Sequence, residues 1–313
     1  MQLFDIDAID DEALVELCHQ AEKKGGMIEG HLHGNRIIKI SDQVAVKYGL
    51  VQESEAKTQE FAFNHVDRGV VHIPKVYRYI KSRQSGYLQG YIFMDCIQGQ
   101  NLKDVDLDLH PDIPLLQHGS QAQLGIATPS GYIYGDDGAR QSFNSIEDMN
   151  GYMNKRIDHI NAHMKGNLKL DLQHDSIDLT PYPLVLCHGN PARRNMILKS
   201  DGSIALVDWG YSGFYPRFFE LAILTCCLPW DKPFGKPVIS ELERLLSLSD
   251  QEMQYMKLTT YVRGANLKWS LDSCEPERDP LEEHLQYIQS TDPKRYEKLM
   301  ADRMARAPTT TAT

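Results

Sequence analysis

The sequence predicts an α+β fold, with a strand-rich first hundred residues and a mainly helical remainder. Three observations carry that prediction. Short β-branched runs at 27–33 (MIEGHLH), 36–41 (RIIKIS) and 43–49 (QVAVKYG) are separated by the turn residues Asn35 and Ser41-Asp42. A helical apolar period governs 11–24 and 54–66, and returns over most of the chain after 146. Between these regions, near Gly99, the composition shifts to an irregular stretch reaching about 145.

In order along the chain, 11–24 reads DEALVELCHQAEKK, with Leu14, Val15, Leu17, Cys18 and Ala21 on one face. Acidic residues open this helix, where the helix dipole favours them, and Gly25-Gly26 ends it. The three strands follow, then a helix over 54–66. A strand opening at Pro74 and broken at Gly86 is next, and LQGYIFMDC (88–96) makes the fifth, so the first part reads β-β-β-α-β-β. The irregular 104–145 stretch contains PSGYIYGDDGAR; a loop of that length inside a compact domain is usually functional or poorly ordered. Helix is expected over 146–165. Strands are expected at LVLC (184–187), MILK (196–199) and SIALVD (203–208), and helices at 217–228, 238–247, 250–270 and 280–305. The tail 307–313 lacks packing side chains beyond alanine and is expected to be disordered.

Composition excludes several classes. The 313 residues carry 33 Lys+Arg against 43 Asp+Glu, a net charge of −10, with 42% apolar and 24% charged residues. That is a globular balance, with ample length for a core. No apolar run reaches the ~18–20 residues of a membrane span. The most apolar stretch, 218–230, is interrupted by Glu220 and Pro229. The acidic start is unlike a targeting peptide. Six cysteines without a CxxC pair suggest reduced, mostly buried thiols and a cytoplasmic protein. The acidic balance argues against a dedicated nucleic-acid binder, which needs clustered Lys and Arg.

The chemistry concentrates in LCHGNPARRNMIL (186–198) followed by IALVDWG (204–210). A polar loop between buried strands, then a strand ending in an acid, brings Asn190, Asn195 and Asp208 to one mouth of a small sheet. Oxygen donors at a strand end suit a hard, partly hydrated Mg²⁺.

These motifs resemble the aminoglycoside phosphotransferase (choline-kinase-like) family of the protein-kinase-like fold, in particular its fungal-type subgroup. The family's H-G-D-x-x-x-x-N loop is matched by His188-Gly189-Asn190 and Asn195, and its strand ending in Asp-Trp by Asp208-Trp209. Val44-Ala-Val-Lys47 is similar to the nucleotide-binding lysine strand, and Glu55 stands where a helix glutamate pairs with that lysine. The 91–99 segment resembles the hinge strand that holds adenine, which puts Met94 and Cys96 at a nucleotide. Similarity to the subgroup extends to 129–133 and 209–216, so the resemblance runs from about 27 to 230.

The resemblance implies a two-lobed architecture, with an N-lobe over 1–97, a C-lobe over 98–306, and a cleft between them. It also implies ATP and Mg²⁺ as cofactors and phosphoryl transfer to a small-molecule hydroxyl. Lys47 and Glu55 would serve the phosphates, and Asn195 and Asp208 the metal. Asn190 and Arg194 would complete the catalytic set. The chain departs from the family pattern at Asn190, where the family has the aspartate that accepts the substrate proton. A carboxamide cannot accept a proton near neutral pH, and losing a general base typically costs ~10²–10⁴ in rate. Three readings stay open: a weakened or silent kinase-like binding protein, an engineered substitution, and a cleft repurposed for other group transfer. Aminoacyl-tRNA-dependent cyclodipeptide formation is an example of the last, the one reading with a nucleic-acid partner. A second departure is the absence of GxGxxG; the equivalent turn is His31-Leu-His-Gly34-Asn35, an ordinary hairpin by composition.

Other residues have plainer readings beside the functional one. Lys47 alternates with Val44 and Val46 and could be solvent-facing; Glu53 and Glu60 compete with Glu55. His188 is expected to brace the loop by hydrogen bonds. Arg193 and Arg194 are equally an exposed pair or a site for phosphate or carboxylate. Asp136-Asp137 reads as a solvated turn. Trp209, Tyr211, Phe214 and Tyr215 read as packing, with an acceptor pocket as the alternative.

Overall fold

The computed structural model describes residues 6–30, 34–84, 87–105, 131–135, 138–164, 176–227 and 232–269, with the isolated positions 293 and 297. Outside them lie His31–His33, most of the 104–145 stretch, the Asp136-Asp137 pair, nearly all of the expected 280–305 helix and the 307–313 tail. Met1–Ala265 forms one compact unit and Asn266–Thr313 a second. In the second, the described residues are the last turn of a helix, the positions 293 and 297, and Trp269, over which the Lys268 ammonium sits 4.6 Å from the ring centre.

The α+β class is as the sequence predicts: a sheet region followed by a mainly helical one. Helix α1 (Asp11–Lys23) is capped by the Asp10 carboxylate, which accepts from the Ala13 N–H at 2.8 Å. Strands β1 (Met27–Gly30), β2 (Arg36–Lys39), β3 (Val44–Gly49), β4 (Val76–Gln84) and β5 (Tyr87–Asp95) form an antiparallel sheet in the order β1-β2-β3-β5-β4. Alternation along β3 serves two cores. Val44, Val46 and Tyr48 pack with Leu14, Val15 and Cys18 of α1 on one face. Helix α2 (Glu53–His65) covers the other, where Ala56 meets Val51, Ile92 and Met94. With both faces covered, β3 is buried along almost its whole length, which is why it holds no solvent-facing position for Lys47.

The rest of the unit is built from short strands and longer helices. Helix α3 (Ile146–Met164) is followed by β7 (Leu184–Cys187), β8 (Met196–Leu198), β9 (Ile204–Leu206) and β10 (Gly213–Pro216); β6 (Gln100–Asn101) precedes α3. Helices α4 (Phe218–Cys227), α5 (Lys232–Leu246) and α6 (Asp250–Lys268) complete it. Two points differ from expectation. The 184–208 strands do not share one small sheet: β7 pairs with β10, and β8 pairs with β9 on one side and β6 on the other. The polar loop therefore hangs between two ribbons. Helix α5 begins six residues before the expected 238, with Pro237 inside it. Phe234 and Val238, one turn apart, bury against Leu224 and Trp209, and that packing outweighs the amide hydrogen that Pro237 lacks.

Cys18, Cys96, Cys187 and Cys226 are free thiols. No described helix is long and apolar enough to cross a membrane.

The sheet region closes tightly where β5 passes the β3–α2 connection. A Cβ built on Gly90 would lie 2.1 Å from the Val51 carbonyl oxygen, a backbone atom that cannot swing aside, and 2.9 Å from the Tyr79 hydroxyl. Gly151, exposed in α3, has nothing within 4 Å of that position. Urea denaturation should therefore show Gly90→Ala losing roughly 2–3 kcal/mol through overpacking. Gly151→Ala should gain about 0.5–1 kcal/mol through helix propensity.

Candidate active site

Three elements converge on one ammonium. Lys47 lies on the β3 face toward α2, between Ala45 and Gly49. Glu55 stands in the first turn of α2. Asp208 follows β9 in a left-handed backbone conformation, φ 67°, sparsely populated by residues other than glycine and tolerated best by Asn and Asp. The Lys47 Nζ is 2.5 Å from Glu55 Oε1 and 2.5 Å from Asp208 Oδ1. Lys47 and Glu55 are buried, whereas Asp208 keeps 37% of its side chain exposed. Glu53 instead pairs with Lys57 on the surface and Glu60 is exposed, so the competition for Lys47 goes to Glu55.

Burial alone would push the Lys47 ammonium down, but Glu55 and Asp208 together hold it above its usual range. Burial raises the Asp208 carboxyl, and Lys47, with His188 and Arg194, more than offsets this and leaves it lowered. Glu55, the more buried acid, is raised by burial and by Asp208 against the pull of Lys47. One ammonium and two carboxylates leave the centre formally short of positive charge.

The 188–195 loop is fixed by its own hydrogen bonds. His188 Nε2 lies 3.0 Å from the Val207 carbonyl, while its Nδ1 accepts the Asn190 N–H at 3.3 Å. Those partners require a neutral ring protonated at Nε2, and burial accordingly depresses its pKa to about 4. His188 thus braces the loop, as expected. Gly189 has φ +77°, and a Cβ there would fall 2.1 Å from the Tyr211 carbonyl oxygen. The Asn190 carbonyl accepts from the Ala192 N–H and from Asn195 Nδ2, each at 2.8 Å. Asn195 is buried, and with its amide nitrogen engaged its Oδ1 accepts no hydrogen bond among the described residues. The Asn190 Oδ1 accepts from Arg194 Nη2 at 2.9 Å, which also donates to the Tyr132 hydroxyl at 2.9 Å.

The two arginines diverge. Arg193 is half-buried, with Nη1 3.4 Å from the Leu102 and Val105 carbonyls, so it ties the loop to 102–105. Arg194 turns to Asn190. Among the aromatics, Trp209 and Tyr215 are buried and Phe214 packs on Phe61. Tyr211 is exposed and stands edge-on to Tyr132. Met94 lies on the same sheet face as Lys47, buried beside Gln59, whose Nε2 is 3.4 Å from its sulfur. Cys96 is half-buried just beyond β5, next to Gln98.

Residues 153–259 match the family model described as APH, Phosphotransferase enzyme family. That segment, about a third of the chain, holds His188, Asn190, Asn195 and Asp208; Lys47 and Glu55 lie outside it. No curated protein matches the chain. Among solved structures it is similar to the apo form of a thermostable mutant of aminoglycoside phosphotransferase APH(4)-Ia, at 13% identity over 79% of this chain and 88% of that one, TM-score 0.47. It is similar as well to an aminoglycoside phosphotransferase from Alicyclobacillus acidocaldarius, at 11% identity over 94% and 95%, TM-score 0.43. Choline kinase LicA from Streptococcus pneumoniae aligns at 13% identity over 82% and 88%, TM-score 0.37.

One residue of the site escaped sequence reasoning. Glu220, on α4, accepts the Gly189 N–H at 3.4 Å through Oε2, while its Oε1 is buried with no hydrogen-bond partner among the described residues. Burial raises its pKa to about 7 against the amide donors at Gly189 and His188. Its signal was visible as the one acid inside the apolar α4 run. A carboxyl raised from an ordinary 4.5 to about 7 contributes stability that is fully present below pH 4.5 and lost as pH rises through 7. Glu220→Gln should remove that loss, on the order of 3 kcal/mol for the full titration. Urea midpoints followed from pH 4.5 to 8 should fall more steeply for the wild type than for the variant; parallel curves would contradict this.

Proposed function

We propose that the chain is an ATP- and Mg²⁺-dependent phosphotransferase acting on a small molecule, with the nucleotide held between the sheet region and the helical region that meet near Gly99. The observation that carries this reading is the contact of Lys47 with both Glu55 and Asp208, supported by the phosphotransferase family match over 153–259. The donor set fits a hard divalent cation. Asn195 Oδ1 has no protein partner among the described residues, and Asp208 beside it is partly exposed and held ionised. Among the described residues no three His, Cys, Asp or Glu side chains cluster as a metal cage. Mg²⁺ keeps several waters and phosphate oxygens and needs only one or two protein ligands.

When bound, the metal–nucleotide pair supplies an electrophilic phosphoryl group. Lys47 would bind phosphate oxygens, with Glu55 fixing its direction. Asn195 and Asp208 would hold the metal, and Met94 and Cys96 would lie along the base. His188 and Glu220 keep the loop in place. Asn190 would touch the acceptor, with Arg194 beside it. A second reading, nucleotide binding without turnover, is favoured by Asn190, because its carboxamide cannot take a proton.

Calorimetric titration of ATP into the full chain, with and without Mg²⁺, tests the proposal. Binding that requires Mg²⁺ is expected, and Asp208→Ala or Asn195→Ala should weaken it at least about tenfold, the lower end of what disturbing a metal ligand's surroundings costs. No binding at millimolar nucleotide would sink both readings. Binding with no phosphate release in the presence of acceptors would leave the second.

A further inference from the structure

The acceptor side of the site bears on the chemical class of the molecule that is phosphorylated, and the inference rests on the phosphotransfer reading above. Asn190 is 4% exposed. A guanidinium has only donors, so the Arg194 contact identifies the oxygen end of the Asn190 carboxamide; turned over, Nδ2 would face Arg194 donor to donor. The remaining end, Nδ2, makes no hydrogen bond among the described residues. The backbone cannot relax this arrangement easily, because the Asn190 N–H is on His188 and its carbonyl holds Ala192 and Asn195. Asn190 is nearly enclosed as a residue, so its unpaired Nδ2 is the end left to offer a hydrogen bond to an acceptor atom from elsewhere.

The surroundings point the same way. Arg194 is exposed at the loop surface and holds its guanidinium 2.9 Å from the Asn190 carboxamide oxygen. Among the described residues beside Asn190, His188 is engaged at both ring nitrogens, and Asp208 is taken up by Lys47 through Oδ1 and, in the reading above, by the metal. A neutral hydroxyl nucleophile must lose its proton during transfer. An ionised carboxylate has none to lose.

We propose that the acceptor is a small carboxylic acid, bound as its carboxylate by Asn190 Nδ2 and Arg194. In the step, one carboxylate oxygen forms a bond to the terminal phosphorus of the nucleoside triphosphate. The bond from that phosphorus to the bridging oxygen breaks, and its electron pair leaves with the nucleoside diphosphate. No proton moves, and the product is an acyl phosphate. Asparagine is then the functional choice at position 190, because a carboxylate there would repel the substrate. A phosphate monoester shares the anionic chemistry and is separated by the test.

The test is saturation-transfer NMR on the full chain, with and without MgADP, using succinate, methyl phosphate and the neutral butane-1,4-diol as probes. Succinate is expected to bind in preference to both others. Asn190→Asp and, as a surface variant with little folding risk, Arg194→Ala should each weaken succinate at least about tenfold, the loss of a hydrogen bond to a charged group. Diol or methyl phosphate binding as well as succinate would overturn the proposal, as would succinate binding equally to wild type and both variants. Failure of MgADP to bind in the same samples would instead remove the phosphotransfer reading, with the preference among probes still legible.

Discussion

The structure turns on one ammonium held between two carboxylates. Lys47 could not stay charged in its buried position without Glu55, and Glu55 would not be buried ionised without Lys47. That mutual requirement explains features far from the contact. Both faces of β3 must be covered, which occupies α1 on one side and α2 on the other. Helix α2 must present its first turn to the sheet. The chain after β9 must adopt a left-handed residue so that Asp208 reaches the same nitrogen. The two acids are not equivalent. Glu55 is enclosed and fixed, whereas Asp208 is partly exposed and has the freedom to exchange partners. A centre of this kind, short of positive charge and open on one side, suits a cation that arrives with its own ligands.

The neighbouring loop solves a different problem. It carries no net charge of its own at His188, Gly189 and Asn190, and is held by neutral hydrogen bonds to Val207, Ala192 and Asn195. Gly189 permits the loop to pass within contact of the Tyr211 backbone, and Glu220 reaches it from below. Rigid neutral scaffolding beside a charged, partly open centre lets a site respond to a bound anion without distorting its frame. The divergence of Arg193 and Arg194 follows the same division, with one guanidinium fastening the loop and its neighbour turned toward Asn190.

Much of this was legible in the sequence for identifiable reasons. The alternation in VAVKYG marked β3, and Ser54-Glu55-Ala56 lay close enough to put an acid within reach of Lys47 on the next element. The 188–208 spacing brought Asn190, Asn195 and Asp208 together because strands of three or four residues leave little slack. What was not legible depended on partners distant in sequence. The pairing of β10 with β7 is invisible in GFYP, which has no alternation and ends in proline. The early start of α5 reverses local proline chemistry through packing on Leu224 and Trp209. Arg193 and Arg194 are adjacent and identical, so only the three-dimensional positions of Leu102, Val105 and Tyr132 separate them. Glu220 read as a mere interruption of an apolar run, although a lone acid in such a run is itself a sign that something buried needs an acceptor.

The most direct measurement of the central claim replaces Mg²⁺ by Mn²⁺ and reads where it sits. With ADP present, substoichiometric Mn²⁺ should broaden the Asn195 side-chain amide resonance in the spectrum of the uniformly ¹⁵N-labelled chain, along with the backbone amide of Asp208. The amide of Gly151, on α3, should be unaffected. Broadening that leaves Asn195 and Asp208 sharp would contradict a metal centre built on the Lys47–Glu55–Asp208 contact.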